Sequence, residues 1–238
     1  MEYIIYLAAG NSKRFGTNKL LYEYKGRRLF EYGLDAIIEA CRRTKDIAES
    51  GTGDNVCNER DIAESGIGDN VCNEPDAGIK SSGEGTAENT EPSVKRTCLV
   101  VTQYEDVAEY AWEHGIRAIY SKESADGISF SIKNGLRAVK IEENDRIMFV
   151  VADQPGLTAS TIDRMFMASY NPDFETASVC CNGQPGNPTC FLGSLLGELM
   201  ALEGDEGGRK VIKKHRCIFV EAYESELKDI DVMPEEAD

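Results

Sequence analysis

Short apolar runs alternate with helically spaced apolar positions along most of the chain. Tyr3 to Leu7 is an apolar run that ends in a glycine-containing loop, and Leu29 to Arg43 sets Leu34, Ile37, Ile38 and Cys41 on one helical face. Thr97 to Thr102 predicts a second buried strand, Glu105 to His114 a helix and Arg117 to Tyr120 a short strand. Ser129 to Lys140 predicts a helix with Ile132, Leu136 and Val139 on one face, and Arg146 to Ala152 a strand. A helix around Thr158 to Ser169, a strand at Ala177 to Cys181, helices near Leu195 to Leu202 and Gly207 to Lys214, and a strand at Cys217 to Ala222 complete the pattern. Strands apolar on both faces, alternating with helices, predict an α/β fold with a mostly parallel sheet flanked by helices. Ligands in such folds sit beyond the carboxyl ends of the strands, so the segments after Leu7, Thr102 and Ala152 are where chemistry is expected. Trp112, beside Val107, Ala108 and Ala111, is expected to pack rather than to stack on a base.

One segment breaks the pattern. Asp46 to Glu59 reads DIAESGTGDNVCNE and Asp61 to Glu74 reads DIAESGIGDNVCNE, a repeat of period 15 in which only Thr52 and Ile67 differ. A solenoid would bury an apolar face between repeats, but Asp46 to Ser93 contains no Leu, Met, Phe, Tyr or Trp. Its tail, SSGEGTAENTEPS, is richer still in polar residues. Residues 46–93 are therefore expected to be a disordered acidic insertion, with a partner-binding or metal-binding insert as the competing reading.

Composition narrows the classes. The net charge is −16, and the insertion carries 12 acidic residues against Arg60 and Lys80, a net of −10, which leaves −6 for the other 190 residues. Such a chain lacks the clustered cations a general nucleic-acid binder needs. No run approaches the ~20 apolar residues of a membrane span, and no basic leader precedes Tyr3 to Ala9, so a soluble cytoplasmic protein is expected. The eight cysteines are scattered without a CxxC pair, and His114 and His215 are the two histidines. Reduced thiols are expected rather than disulfides or zinc, with Cys180, Cys181 and Cys190 packing as small hydrophobes near one strand and loop.

Two segments carry candidate chemistry. In LAAGNSKRFGTNKL, Leu7 to Leu20, the small residues Ala8, Ala9 and Gly10 let a ligand approach the backbone, whose amides can cradle phosphate oxygens. Ser12, Lys13, Arg14 and Lys19 add a hydroxyl and cations suited to a triphosphate. Taken alone, the loop is equally compatible with an ordinary strand-to-helix turn. In ADQPGLT, Ala152 to Thr158, a carboxylate directly follows the apolar strand IMFVV. Asp153 there suits Mg²⁺ bridging nucleotide phosphates, or else serves as a helix cap or turn former.

These two segments, with DGISFSIKNGL at Asp126 to Leu136, QPGNPTCF at Gln184 to Phe191, LEGDEGGR at Leu202 to Arg209 and DIDVMPEE at Asp229 to Glu236, give the chain a family likeness. In that order they resemble the molybdenum cofactor cytidylyltransferases, relatives of the molybdopterin guanylyltransferases. The resemblance implies a single Rossmann-like nucleotidyltransferase domain over 1–238, with CTP, Mg²⁺ and a molybdenum-bearing pterin phosphate as co-reactants and a molybdenum-dependent apoenzyme as a candidate partner. LAAG rather than LAGG is associated with cytidine nucleotides in this superfamily, and Ala9 falls on that position. It implies nucleotide contacts from Leu7, Ala8, Ala9, Gly10, Ser12, Arg14, Lys19, Gly127, Ser129 and Ser131, and acceptor contacts from Gly186, Asn187, Pro188, Asp205 and Arg209. Arg14, Lys19 and Asp153 become the catalytic residues, and Asp153 and Asp231 the metal ligands. The chain departs from the family at Asn187, where histidine is common, at Val232 and Met233, which replace the usual Thr before Pro234, and at the insertion.

The residues themselves leave some roles open. Gly127, Ser129 and Ser131 sit where a loop enters a helix, which suits an anion or a ribose, or else a serine cap. Asp205 and Arg209 either touch substrate or pair at i, i+4. The expected chemistry is in-line attack of the acceptor phosphate on the α-phosphorus of CTP with pyrophosphate leaving, so positioning and charge neutralisation suffice. The alternatives are a GTP-dependent molybdopterin enzyme, a transferase acting on a sugar or polyol phosphate, and a non-catalytic pterin carrier. A glycosyltransferase fits less well, because ADQP stands where its DxD motif would be.

Overall fold

The computed structural model describes residues 1–10, 15, 18–50 and 94–230, with backbone alone for 45–50. β1 (Glu2–Ala8) is followed by a 3₁₀ turn at Lys19–Leu21, the hairpin of β2 (Glu23–Tyr24) and β3 (Arg27–Arg28), and α1 (Leu29–Ser50). Then come β4 (Arg96–Thr102), α2 (Glu105–Glu113), β5 (Arg117–Tyr120), a 3₁₀ stretch at Lys122–Asp126, α3 (Ile128–Arg137) and β6 (Arg146–Val151). The remainder is α4 (Ala159–Ser169), β7 (Thr176–Cys181), β8 (Gln184–Leu192), α5 (Leu196–Met200), α6 (Arg209–Ile212), β9 (Cys217–Glu221) and α7 (Glu224–Leu227).

Seven strands form one sheet in the order β5-β4-β1-β6-β8-β7-β9, parallel throughout except for β8, which runs against both neighbours. The central strands are buried on both faces. Ile4, Tyr6 and Ala8 of β1, Val100 of β4, and Met148 and Val150 of β6 join Phe30, Leu34, Ile37, Val107, Ala111, Ile162 and Phe166 on one side. Ile5, Leu7, Leu99, Val101, Ile147 and Phe149 join Ile132, Leu136, Leu195 and Leu199 on the other. This period-two division of each strand produces a three-layer α/β/α body, as the continuous apolar runs predict.

The differences have local causes. No strand is predicted between Cys181 and the helix near Leu195, yet residues 184–192 form a nine-residue strand between β6 and β7. Pro185, Gly186 and Pro188 disguise it; the Asn187–Pro188 peptide is cis. α3 stops at Arg137 instead of reaching Lys140. The β2–β3 hairpin has no apolar periodicity to announce it, and its turn places Lys25 at φ 50° and Gly26 at φ 82°. Trp112 is 60% exposed, on the outer side of α2 from Val107, Ala108 and Ala111. α1 runs to Ser50, five residues into the segment expected as an insertion. Residues 51–93 of that segment lie outside the described residues. Among the described residues no helix is long and apolar enough to cross a membrane.

Candidate active site

The carboxyl ends of β1, β4, β5 and β6 lie at one edge of the sheet because these strands are parallel. The register Phe149↔Thr189 carries the start of antiparallel β8 past β6 to that same edge. Leu7 to Gly10, Asp153, and Gly186, Asn187 and Pro188 therefore converge there from three separate parts of the sequence.

Lys19 and Asp153 meet directly: Lys19 Nζ donates to Asp153 Oδ2 at 2.7 Å. The other carboxylate oxygen, Asp153 Oδ1, is buried and has no hydrogen-bond partner among the described residues. A buried anionic oxygen left this way is costly without a further partner, and a hard divalent cation is the partner its chemistry suits. Asp153 does not cap α4, since Thr158 does so by accepting from Thr161 N at 3.2 Å, but Asp153 does lie in the turn that follows β6. Among the described residues no three His, Cys, Asp or Glu side chains surround a common point. A cation at Asp153 would take further ligands from substrate phosphates, water or a residue outside the described ones, an arrangement that suits Mg²⁺.

A strap from the end of the described chain crosses the Asp153 loop. Ile230 N donates to Asp153 O at 3.0 Å, and Gln154 Nε2 donates to Asp229 Oδ1 at 2.8 Å and Leu227 O at 3.2 Å. Glu226, 4% exposed, accepts at Oε1 from Thr158 Oγ1 at 2.6 Å and Thr161 Oγ1 at 2.8 Å. Gly156 is needed beneath the strap, since a Cβ there would lie 2.0 Å from Ser225 O. Ile230 also packs against Phe15 and Leu29, which joins the strap to the loop after β1. Asp231 is the next residue in the chain; it lies outside the described residues, as do Ser12 and Arg14.

Leu7, Ala8 and Ala9 are buried, whereas Gly10 is exposed, with no described atom within 4 Å of where a Cβ would sit. Gly127 has φ 141° and lies against the Gly204 turn, where a Cβ would come 2.2 Å from Gly204 O. Ser129 N donates to Gly204 O at 3.1 Å, so the DGISFS and LEGDEGGR segments form one unit. Ser129 Oγ is buried without a partner among the described residues, and the expected serine cap is not formed: Gly127 occupies the N-cap of α3. Ser131 is used internally instead, donating to Ser124 Oγ at 2.7 Å in a buried network with Ser121 and Asn134. Arg209 donates to Pro185 O at 2.6 Å and thereby brings the Gly204 turn to the start of β8, while the i, i+4 ion pair of this region is Glu206 with Lys210. Asp205 is exposed.

The six described cysteines are free. Burial, followed by the hydrogen bond from Cys180 Sγ to Glu221 Oε2 at 2.8 Å, pushes the Cys180 thiol up to about 11. Burial pushes Cys190 up to about 12. Both therefore remain protonated at neutral pH; Cys190 packs as the small apolar group expected, whereas Cys180 is a hydrogen-bond donor and Cys181 is only half-buried.

Three residues at this edge were not singled out from the sequence, although the end of β4 was. Thr102 Oγ1 donates to Ala8 O at 2.8 Å, Gln103 Nε2 to Ala9 O at 2.7 Å and Tyr104 Oη to Gly10 O at 2.7 Å. Their position directly after a buried strand was the available signal.

A mostly parallel sheet with a small-residue loop after its first strand and a carboxylate after the neighbouring strand is the arrangement of a nucleotidyltransferase, and the family match agrees. The chain belongs to the MobA-like NTP transferase domain family, which it matches over residues 4–58 and 80–218. The unmatched interval contains the whole second copy of the acidic repeat, Asp61 to Glu74. The chain is 25% identical over 238 residues to the purine catabolism protein PucB of Bacillus subtilis (strain 168), covering 98% of this chain and 93% of the relative. Among solved structures it resembles the manganese complex of Rv0371c from Mycobacterium tuberculosis H37Rv, with TM-score 0.58, 18% identity and coverage of 93% and 89%. It also resembles molybdopterin-guanine dinucleotide biosynthesis protein A of Archaeoglobus fulgidus, with TM-score 0.53, 12% identity and coverage of 93% and 83%.

Proposed function

We propose that this nucleotidyltransferase moves CMP from CTP to the phosphate of a molybdenum-bearing pterin, releasing pyrophosphate. The observation that carries the reading is Asp153, with one oxygen held by Lys19 and the other buried, without a partner among the described residues, beside the Ala8 to Gly10 loop. A bound Mg²⁺ would supply charge neutralisation at the phosphates. Asp153 Oδ1 is the ligand this chain offers it, and Asp231, next to the Ile230 that donates to Asp153 O, is the candidate second ligand.

The chain's own contribution is positioning. The backbone at Ala8 to Gly10 admits the nucleotide closely, Ser129 Oγ at the start of α3 is a polar group without a partner among the described residues, and Lys19 fixes the rotamer of Asp153. Arg14, with Ser12, is assigned to the phosphates by the family resemblance. The start of β8 at Gly186, Asn187 and Pro188, joined to Arg209 through Pro185 O, forms the acceptor side. No side-chain nucleophile is required, because the acceptor phosphate itself attacks the α-phosphorus.

Ala9 in LAAG favours the cytidine nucleotide, and the six motifs favour the pterin acceptor; the Archaeoglobus neighbour, named for the guanine dinucleotide, makes GTP the reading to test against. Thermal unfolding in the presence of each nucleotide with Mg²⁺ decides it, since a ligand of the folded state raises the melting temperature by mass action. CTP is expected to protect more than GTP. Equal or greater protection by GTP moves the protein to the guanylyl branch.

A further inference from the structure

In a parallel strand the carbonyls alternate between the two neighbours, and β1 begins that way: Leu7 O accepts from Ala152 N, on the β6 side, at 3.2 Å. Ala8 O keeps the alternation by facing β4, and the alternation stops at Ala9. Ala8, Ala9 and Gly10 present three successive carbonyls to the β4 side, and three successive side chains, Thr102, Gln103 and Tyr104, each donate to one of them. The C=O and the N–H of one trans peptide point in opposite directions. Holding Ala8 O and Ala9 O towards β4 therefore aims Ala9 N–H and Gly10 N–H the other way, towards β6 and Asp153.

We propose that Gln103 and Tyr104 are positioning residues that set the polarity of the nucleotide loop, so that it offers backbone donors rather than carbonyl acceptors to the nucleotide. The inference rests on the reading of this edge as the nucleotide site. A short loop of Ala, Ala and Gly has no bulky side chain to hold it, and glycine tolerates either peptide orientation, so the polarity must be imposed from outside. Thr102 is fully buried and takes part in β4 itself, whereas Gln103 and Tyr104 are half-buried and lie beyond the strand's end. They can be altered without opening the core. Burial pushes the Tyr104 phenol up from its ordinary value, so it stays a hydrogen-bond donor across the working pH range.

The test uses Gln103→Met and Tyr104→Phe, which remove the donors and keep most of the volume. Dissociation constants for CTP and GTP with Mg²⁺ are measured by titration calorimetry on the whole chain, together with the melting temperature without nucleotide. Gln103→Met is expected to weaken the preferred nucleotide about tenfold and to narrow the ratio between CTP and GTP, and Tyr104→Phe to weaken it about threefold. Melting temperatures should stay close to the parent's, which a merely structural role would not allow alongside the binding loss. If the parent binds nucleotide and both variants bind it within twofold, with an unchanged CTP to GTP ratio, the inference falls and the nucleotide site stands. If the parent binds neither nucleotide, the site reading itself falls and takes the inference with it.

Discussion

Asp153 combines partial burial, a fixed rotamer and a buried oxygen with no described partner, a combination that core packing does not require. Asp153→Asn keeps the shape and can still accept from Lys19, but a neutral amide is a far weaker ligand for a hard divalent cation. We expect turnover to fall by roughly a hundredfold or more, with far-ultraviolet circular dichroism unchanged. Near-parental activity in a pyrophosphate-release assay would remove Asp153 from the metal site. The position of this residue was legible in the sequence because an acidic side chain directly after IMFVV falls at the carboxyl end of a buried strand, though a turn or cap was an equal reading of it there. Gln103 and Tyr104 were not, since their partners are backbone carbonyls some ninety positions away, and only the pairing Ala8↔Thr102 brings them near. Ser131 shows the converse: its motif suggested a ligand contact, but the folded chain spends its hydroxyl on Ser124.

Elements built from uninterrupted apolar runs were the easiest to read. β1, β4, β5 and β6 fall within a residue or two of their expected limits; in β1, β4 and β6 burial on both faces leaves little room for polar interruption, whereas β5 is a partly exposed edge strand. β8 escaped because its first half carries two prolines and a glycine, residues that argue against a central strand when pairing partners are unknown. That half extends past Phe149, the last residue of β6 paired with it, so the missing donors interrupt no ladder with β6. The unit formed by the start of α3 and the Gly204 turn yields a stability prediction. Gly127→Ala must hold a side chain at φ 141° and push its Cβ against a backbone carbonyl that now sits 2.2 Å away. A loss of about 2–4 kcal/mol in urea unfolding is expected. A change below about 1 kcal/mol would mean that the two loops are not packed as tightly as described.

Across the whole molecule, the described core accounts for the family fold without help from residues 51–93, since both layers of helices and all seven sheet strands lie outside that segment. Lengthening a flexible loop costs only about 0.6 kcal/mol per doubling, so a duplicated unit between α1 and β4 is a small thermodynamic burden. Replacing 51–93 with a short Gly-Ser linker should therefore leave the melting temperature and the rate of pyrophosphate release close to the parent's. A chain that no longer folds would assign the segment a structural role, and intact nucleotide chemistry with failed delivery to an apoenzyme would assign it a docking role. The strap at 223–230 has a consequence of a different kind. Ribosomes deliver residues in order, and β1, β4 and β6 can pair while the strap is still in the exit tunnel. The Asp153 loop then lacks the hydrogen bonds from Ile230 and to Leu227 and Asp229, and the buried anchor Glu226 is absent. The edge proposed as the nucleotide site thus lacks these contacts until residue 230 has emerged, so nucleotide turnover there is expected only from a chain whose synthesis has passed that point.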